Sequence, residues 1–151
     1  MSDAMDAKAQ MEIEWACTKL VHDFAYYMDQ RRYEDLAALF TPDGVFDRVG
    51  QALRGRREIV DALAKRPLDQ RIRHVTVGIH FASVATDAAT AVVYNASYVG
   101  RLDEPGKPSV YAISRPALLE FQDAYRRTPD GWRIAERVAR MVLVPEDMPA
   151  R

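Results

Sequence analysis

Three histidines, one cysteine and a scatter of carboxylates are the side chains of this 151-residue chain best suited to move a proton or attack carbon. His74 has the one side-chain type whose unperturbed titration falls near neutral pH, so it can serve as a general base; placed on a strand, it can equally be a rim or core histidine satisfied by a backbone carbonyl. Asp29 falls where a first helix should end and a second begin, the position of a turn residue or a cap. A carboxylate there meets the negative end of the first helix, unfavourable by roughly 0.3–1 kcal/mol unless a proton donor or cation stands close. At 100° per residue it also points away from the apolar stripe of that helix, so a role inside the fold requires the helix to stop there.

Other chemistries find less support. His74 and His80 are six strand residues apart, about 20 Å at roughly 3.3 Å per residue, too far to share an ion. His22 and Asp29 are two helical turns apart, roughly 10 Å. No metal and no other cofactor is expected. Gly50 to Gly55 lacks the lysine of a phosphate-binding loop. Cys17 lies on an apolar helical stripe and reads as core. For contacts to a small molecule the candidates are Phe24 and Met28 on the first helix and Tyr94 and Tyr98 on a strand; Asn95 points the other way, so only one of the two strand faces can look inward.

The elements that must position these residues follow from periodicity. From about Ala4 to Met28, Ile13, Ala16, Cys17, Leu20, Phe24, Tyr27 and Met28 trace a helical stripe. A second helix is expected from about Arg31 to Phe40, stopped by Thr41-Pro42-Asp43-Gly44. Gly44 to Val49 then reads as a short strand, and a third helix carries Ile59, Ala62 and Leu63 and ends near Pro67. Beyond it the period becomes two. Arg71 to Ser83 puts Val75, Val77, Ile79 and Phe81 on one face and His74, Thr76, Gly78 and His80 on the other. Long strands are expected at Ala89–Leu102, Ser109–Arg127 and Trp132–Leu143, with a loop at Asp103–Pro108 and a bulge or edge imposed by Pro116. Helices first and long antiparallel strands afterwards give an α+β fold. A cone-shaped curved antiparallel sheet with the N-terminal helices on its concave side leaves the wide end open as a pocket.

Composition bounds the rest. Hydrophobic residues make up 48% and charged residues 28%, an ordinary globular balance for one domain spanning 1–151, with loose ends at about 1–8 and 145–151. A net charge of −1 supplies no field for a polyanion, so no nucleic-acid partner is expected. No apolar run is long enough for a spanning helix, one cysteine cannot make an internal disulfide, and Met1 to Glu14 lacks a secretory apolar stretch; the expectation is no membrane and a cytoplasmic address.

Four segments carry a family resemblance. Tyr26–Asp47 (YYMDQRRYEDLAALFTPDGVFD), Leu53–Ile59 (LRGRREI), Arg73–Thr76 (RHVT) and Arg127–Ile134 (RTPDGWRI) resemble, in order, segments of SnoaL-like proteins of the nuclear transport factor 2-like superfamily. That resemblance implies the same cone. Within the superfamily, Asp29 and His74 are similar to the aspartate–histidine pair of scytalone dehydratase and hexachlorocyclohexane dehydrochlorinase, which removes a proton from carbon. The second pocket histidine of the dehydratase has no counterpart here, and the lysine of the dehydrochlorinase falls at Phe24. The resemblance implies a cofactor-independent lyase or isomerase acting on a cyclic or aromatic small molecule, with His74 as base and Asp29 as partner. The alternative is a non-catalytic binding or accessory protein like a dioxygenase β subunit. Oligomers are common in the family, so a homodimer or homotrimer is expected.

Overall fold

The computed structural model of the chain describes residues 5–101, 112–113 and 116–147. Helix α1 (Ala7–Asp29) starts at Asp6, whose side chain accepts the Lys8 N–H at 3.3 Å. Helix α2 (Tyr33–Ala38) follows, then strands β1 (Phe40–Arg48) and β2 (Ala52–Arg54), helix α3 (Gly55–Leu63), and strands β3 (Gln70–Val84), β4 (Ala88–Arg101), β5 (Ala112–Ile113), β6 (Ala117–Thr128) and β7 (Gly131–Leu143). The strands form one curved, unclosed sheet in the order β2-β1-β7-β6-β4-β3, with β5 paired to β4. From β3 to β7 it is an antiparallel meander; β1 joins its far edge parallel to β7. No helix among the described residues is long and apolar enough to cross a membrane.

The apolar stripe of α1 is what the sheet wraps. Ile13, Cys17, Leu20, Val21, Phe24 and Met28 are buried, and the helix touches both β3 and β7. Phe24 is the centre of an aromatic cluster, edge-on to Phe40, Phe46 and Phe121 with ring centroids 5.3–6.2 Å apart. Such edge contacts match the positive rim of one ring to the negative face of the next.

Several boundaries differ from the sequence expectations. The second helix stops at Ala38, and Phe40 opens β1, because the Ile134 N–H donates to the Leu39 carbonyl and draws the chain into the sheet. Thr41-Pro42-Asp43-Gly44 is then a bulge inside β1: the parallel register runs Phe40↔Ile134 and resumes at Val45↔Glu136. Gly44 fits there because a Cβ would sit 3.0 Å from both the Phe40 Cβ and the Thr41 carbonyl oxygen. The short β2 pairs with β1 and had no periodicity of its own to reveal it. The expected Ser109–Arg127 strand is interrupted, with Pro116 just before β6; the Asp103–Pro108 loop lies outside the described residues, as do 1–4 and 148–151. Ala7 and Lys8, expected in a loose end, are helical.

The largest correction concerns β3. Its pairing with β4 slips between Thr76 and Gly78, so Val77 is an extra residue and the alternation reverses across it. Ile72, His74 and Thr76 before the bulge and Ile79 and Phe81 after it therefore share the inner face. Val75 and Val77 are 46% and 63% exposed, and His80 is exposed as well. The single apolar face expected from strict alternation does not exist.

Candidate active site

The site begins at the last turn of α1. The helix closes in a Schellman arrangement, with the Arg31 N–H donating to the Met28 carbonyl at 3.3 Å and the Arg32 N–H to the Tyr27 carbonyl at 2.9 Å. Arg31 takes the left-handed conformation this requires (φ 58°), a place more often filled by glycine. Its side chain explains the choice of residue. The guanidinium donates to the carbonyls of Arg66 (3.2 Å), Pro67 and Gln70 (2.7 Å), tying the end of α1 to the segment that leads into β3. His74 lies four residues beyond Gln70.

Asp29 is the last residue of α1, on the flank of the buried stripe, and β3 runs along that flank. Its carboxylate accepts two hydrogen bonds from one residue: the His74 backbone N–H reaches Oδ2 at 3.0 Å, and the His74 ring Nδ1–H reaches Oδ1 at 2.6 Å. The two side chains are 8% and 12% exposed. The donors offset the unfavourable helix end noted above. A carboxylate that accepts this bond requires a ring proton on Nδ1, and in the neutral ring that tautomer leaves the lone pair on Nε2.

His74 lines a cavity of about 550 Å³, a size suited to a compact organic molecule. Phe24 and Met28 line it too. Phe46 and Phe121 join them, and Leu63, Ile72, Ser97 and Val99 complete much of the wall. Tyr94 and Tyr98 do not line it. The inner face of β4 carries Val93, Asn95, Ser97 and Val99, while Tyr94 is 58% exposed on the outside. Asn95, on the opposite side of the strand from the two tyrosines, is buried. Periodicity showed that these two sets oppose one another; which set looks inward is decided by the partner strands. Phe121 carried a readable signal as an aromatic in an alternating strand. Arg66, which also lines the cavity, carried none.

Behind the aromatic floor lies a buried ion pair. The Arg137 guanidinium donates to Asp123 at 2.8 and 2.5 Å and stacks against Phe24 and Phe121, 4.2 and 4.6 Å from their centroids. Tyr125 also donates to Asp123, and burial pushes its hydroxyl far above the ordinary phenol range. Burial opposes the charge of Arg137, but the Asp123 carboxylate outweighs it and keeps the guanidinium firmly protonated. No group of three or more metal-binding side chains occurs among the described residues.

Residues 9–138 match the family model of the SnoaL-like domain. An uncharacterized protein of Mycobacterium tuberculosis, Rv2910c, is 33% identical over 132 residues, covering 80% of this chain and 79% of its own. Among solved structures, a candidate scytalone dehydratase from Novosphingobium aromaticivorans superposes with a TM-score of 0.78 at 18% identity, covering 97% of this chain and 94% of that one. A protein from Catenulispora acidiphila in complex with S-DNPA gives a TM-score of 0.69 at 22% identity, covering 87% and 95%.

Proposed function

Because this chain belongs to the SnoaL-like domain family, whose cone-shaped fold it shares with nuclear transport factor 2-like structures, we propose that it is a cofactor-independent lyase or isomerase that removes a proton from a cyclic or aromatic small molecule. The observation that carries this reading is the hydrogen bond of 2.6 Å between the His74 ring and Asp29 on the wall of a cavity floored by aromatic rings. In this role His74 Nε2 takes the proton from carbon, and Asp29 holds the ring in the required tautomer and stabilises the imidazolium that forms. Phe24, Met28, Phe46 and Phe121 supply apolar surface for a flat ring. The scytalone dehydratase description of one fold neighbour is consistent with this chemistry.

The test uses exchange rather than a guessed product. Cyclic ketones and aromatic β-hydroxy ketones are incubated with the protein in D2O and followed by proton NMR. We expect deuterium incorporation or elimination for at least one compound, lost on His74→Ala. Binding in the cavity with no exchange across the panel would reject the catalytic reading and favour a non-catalytic binding or accessory protein.

We further propose a homodimer or homotrimer. Val75, Ala96, Leu118 and Leu143 are register partners across β3, β4, β6 and β7, forming an apolar row on the outer face. Leu143 is 61% exposed, and a second copy is the simplest cover for such a row.

A further inference from the structure

The charge around the cavity is one-sided. Arg48, Lys65, Arg66 and Arg101 line it, and no Asp or Glu does among the described residues, although the chain as a whole has a net charge of −1. Arg101 has a surface partner, Asp69, at 3.7 Å. Arg66 is different. Its guanidinium lies 5.6 Å from the centroid of the Tyr33 ring, and Nε, Nη1 and Nη2 are all buried without a hydrogen-bond partner among the described residues. The Tyr33 hydroxyl and the Arg31 Nε are orphaned in the same way.

A guanidinium with no acceptor is costly to bury, since each unmade hydrogen bond to a charged group forfeits more than one between neutral groups. The groups facing Arg66 do not relieve it. Burial pushes its pKa below the ordinary arginine value, and Arg31 and Arg71 add repulsion; Tyr33 and Asp29 attract it without meeting it in a hydrogen bond. What Arg66 lacks is a pair of acceptor oxygens in one plane, which a carboxylate supplies. A cavity lined by one sign of charge also concentrates ligands of the opposite sign.

We propose that the molecule bound in this cavity is an organic acid: an aromatic or cyclic ring resting on Phe24 and Phe121, with an ionised carboxylate held by Arg66 and supported by Lys65. The proposal rests on the reading of this cavity as a ligand pocket, and it specifies the ligand class there. It does not depend on proton abstraction by His74.

The experiment compares 2-naphthoate with 2-naphthamide, which share a ring and a shape and differ in charge, by isothermal titration at neutral pH. Wild type should bind the acid about tenfold or more tightly than the amide. Arg66→Gln should remove that preference while changing amide affinity less than about twofold, with its melting temperature monitored. Lys65 is exposed, so Lys65→Gln tests the same field without disturbing the core; the acid should weaken and the amide should not. Equal affinity of wild type for the two compounds, or binding of neither, would overturn the proposal. So would an Arg66→Gln protein that folds and loses both equally, the behaviour of an arginine that merely packs on Tyr33. Titration involves no turnover, so the binding preference is measured independently of any deuterium exchange.

Discussion

At the scale of single residues, Asp29 is the most informative position. Its carboxylate accepts from both the backbone and the ring of His74. Asparagine has one acceptor oxygen. If that oxygen keeps the backbone bond, the amide NH2 faces the ring, and the imidazole must present Nδ1 as an acceptor and move its proton to Nε2. The proposed base is then blocked. Asp29→Asn should lower turnover of any exchanging compound by about 100- to 10,000-fold while ligand affinity changes little. Unchanged turnover would remove the pair from the chemistry. Cys17 gives a contrasting prediction. Burial, helped by the negative charge of Asp123, pushes its thiol up to about 12. Only the thiolate reacts, and its share at pH 8 is then roughly one part in ten thousand. Iodoacetamide at pH 8 should leave Cys17 unmodified by mass spectrometry until the protein is unfolded in urea; rapid labelling of the native protein would contradict the packing.

At the scale of elements, the site depends on two irregularities, the left-handed residue that ends α1 and the bulge at Val77. Arg31 serves the first twice, through its backbone and through a side chain that holds two carbonyls of the α3–β3 connection and that of Gln70, the first residue of β3. Arg31→Ala should cost about 1–3 kcal/mol in urea unfolding, from the lost charge-assisted hydrogen bonds. Arg31→Gly loses the same bonds but accepts a positive φ freely, so it should recover roughly 1 kcal/mol of that loss. A glycine variant no more stable than the alanine variant would count against this division of roles. The bulge at Val77 lets one strand give His74 to the cavity and Ile79 and Phe81 to the core beneath α1. Without the extra residue, one of those sets would face solvent.

At the scale of the whole molecule, the sheet has two faces with different tasks. The inner one wraps α1 and the cavity, and the outer one carries the Val75–Ala96–Leu118–Leu143 row. Light scattering at micromolar concentration should report a mass above that of the 17.1 kDa chain, and Val75→Asp combined with Leu118→Asp should return it to the monomer with the far-UV spectrum preserved. A monomeric wild-type protein would sink the assembly proposal.

The α+β class, the three helices, the stripe of α1 and the major strands were legible in the sequence, because helical and strand periods are local properties of hydrophobic order. Family-bearing segments such as YYMDQRR and RHVT brought Asp29 and His74 together as an expectation. Tertiary structure decided what periodicity leaves open. Strict alternation cannot reveal a bulge, so it groups Ile79 and Phe81 with Val75 and Val77, whereas the extra residue at Val77 puts them on the face of His74 and Thr76. Alternation alone also cannot orient β4; its pairing with β3 and β6 put Asn95 inside and Tyr94 outside. Arg66 had no signal at all, because one arginine after a helix looks like a solvated helix end until the chain folds Tyr33 over it and the cavity opens beside it. Sequence order sets which faces an element can have, and only the contacts between elements, made across tens of residues, determine which face is buried.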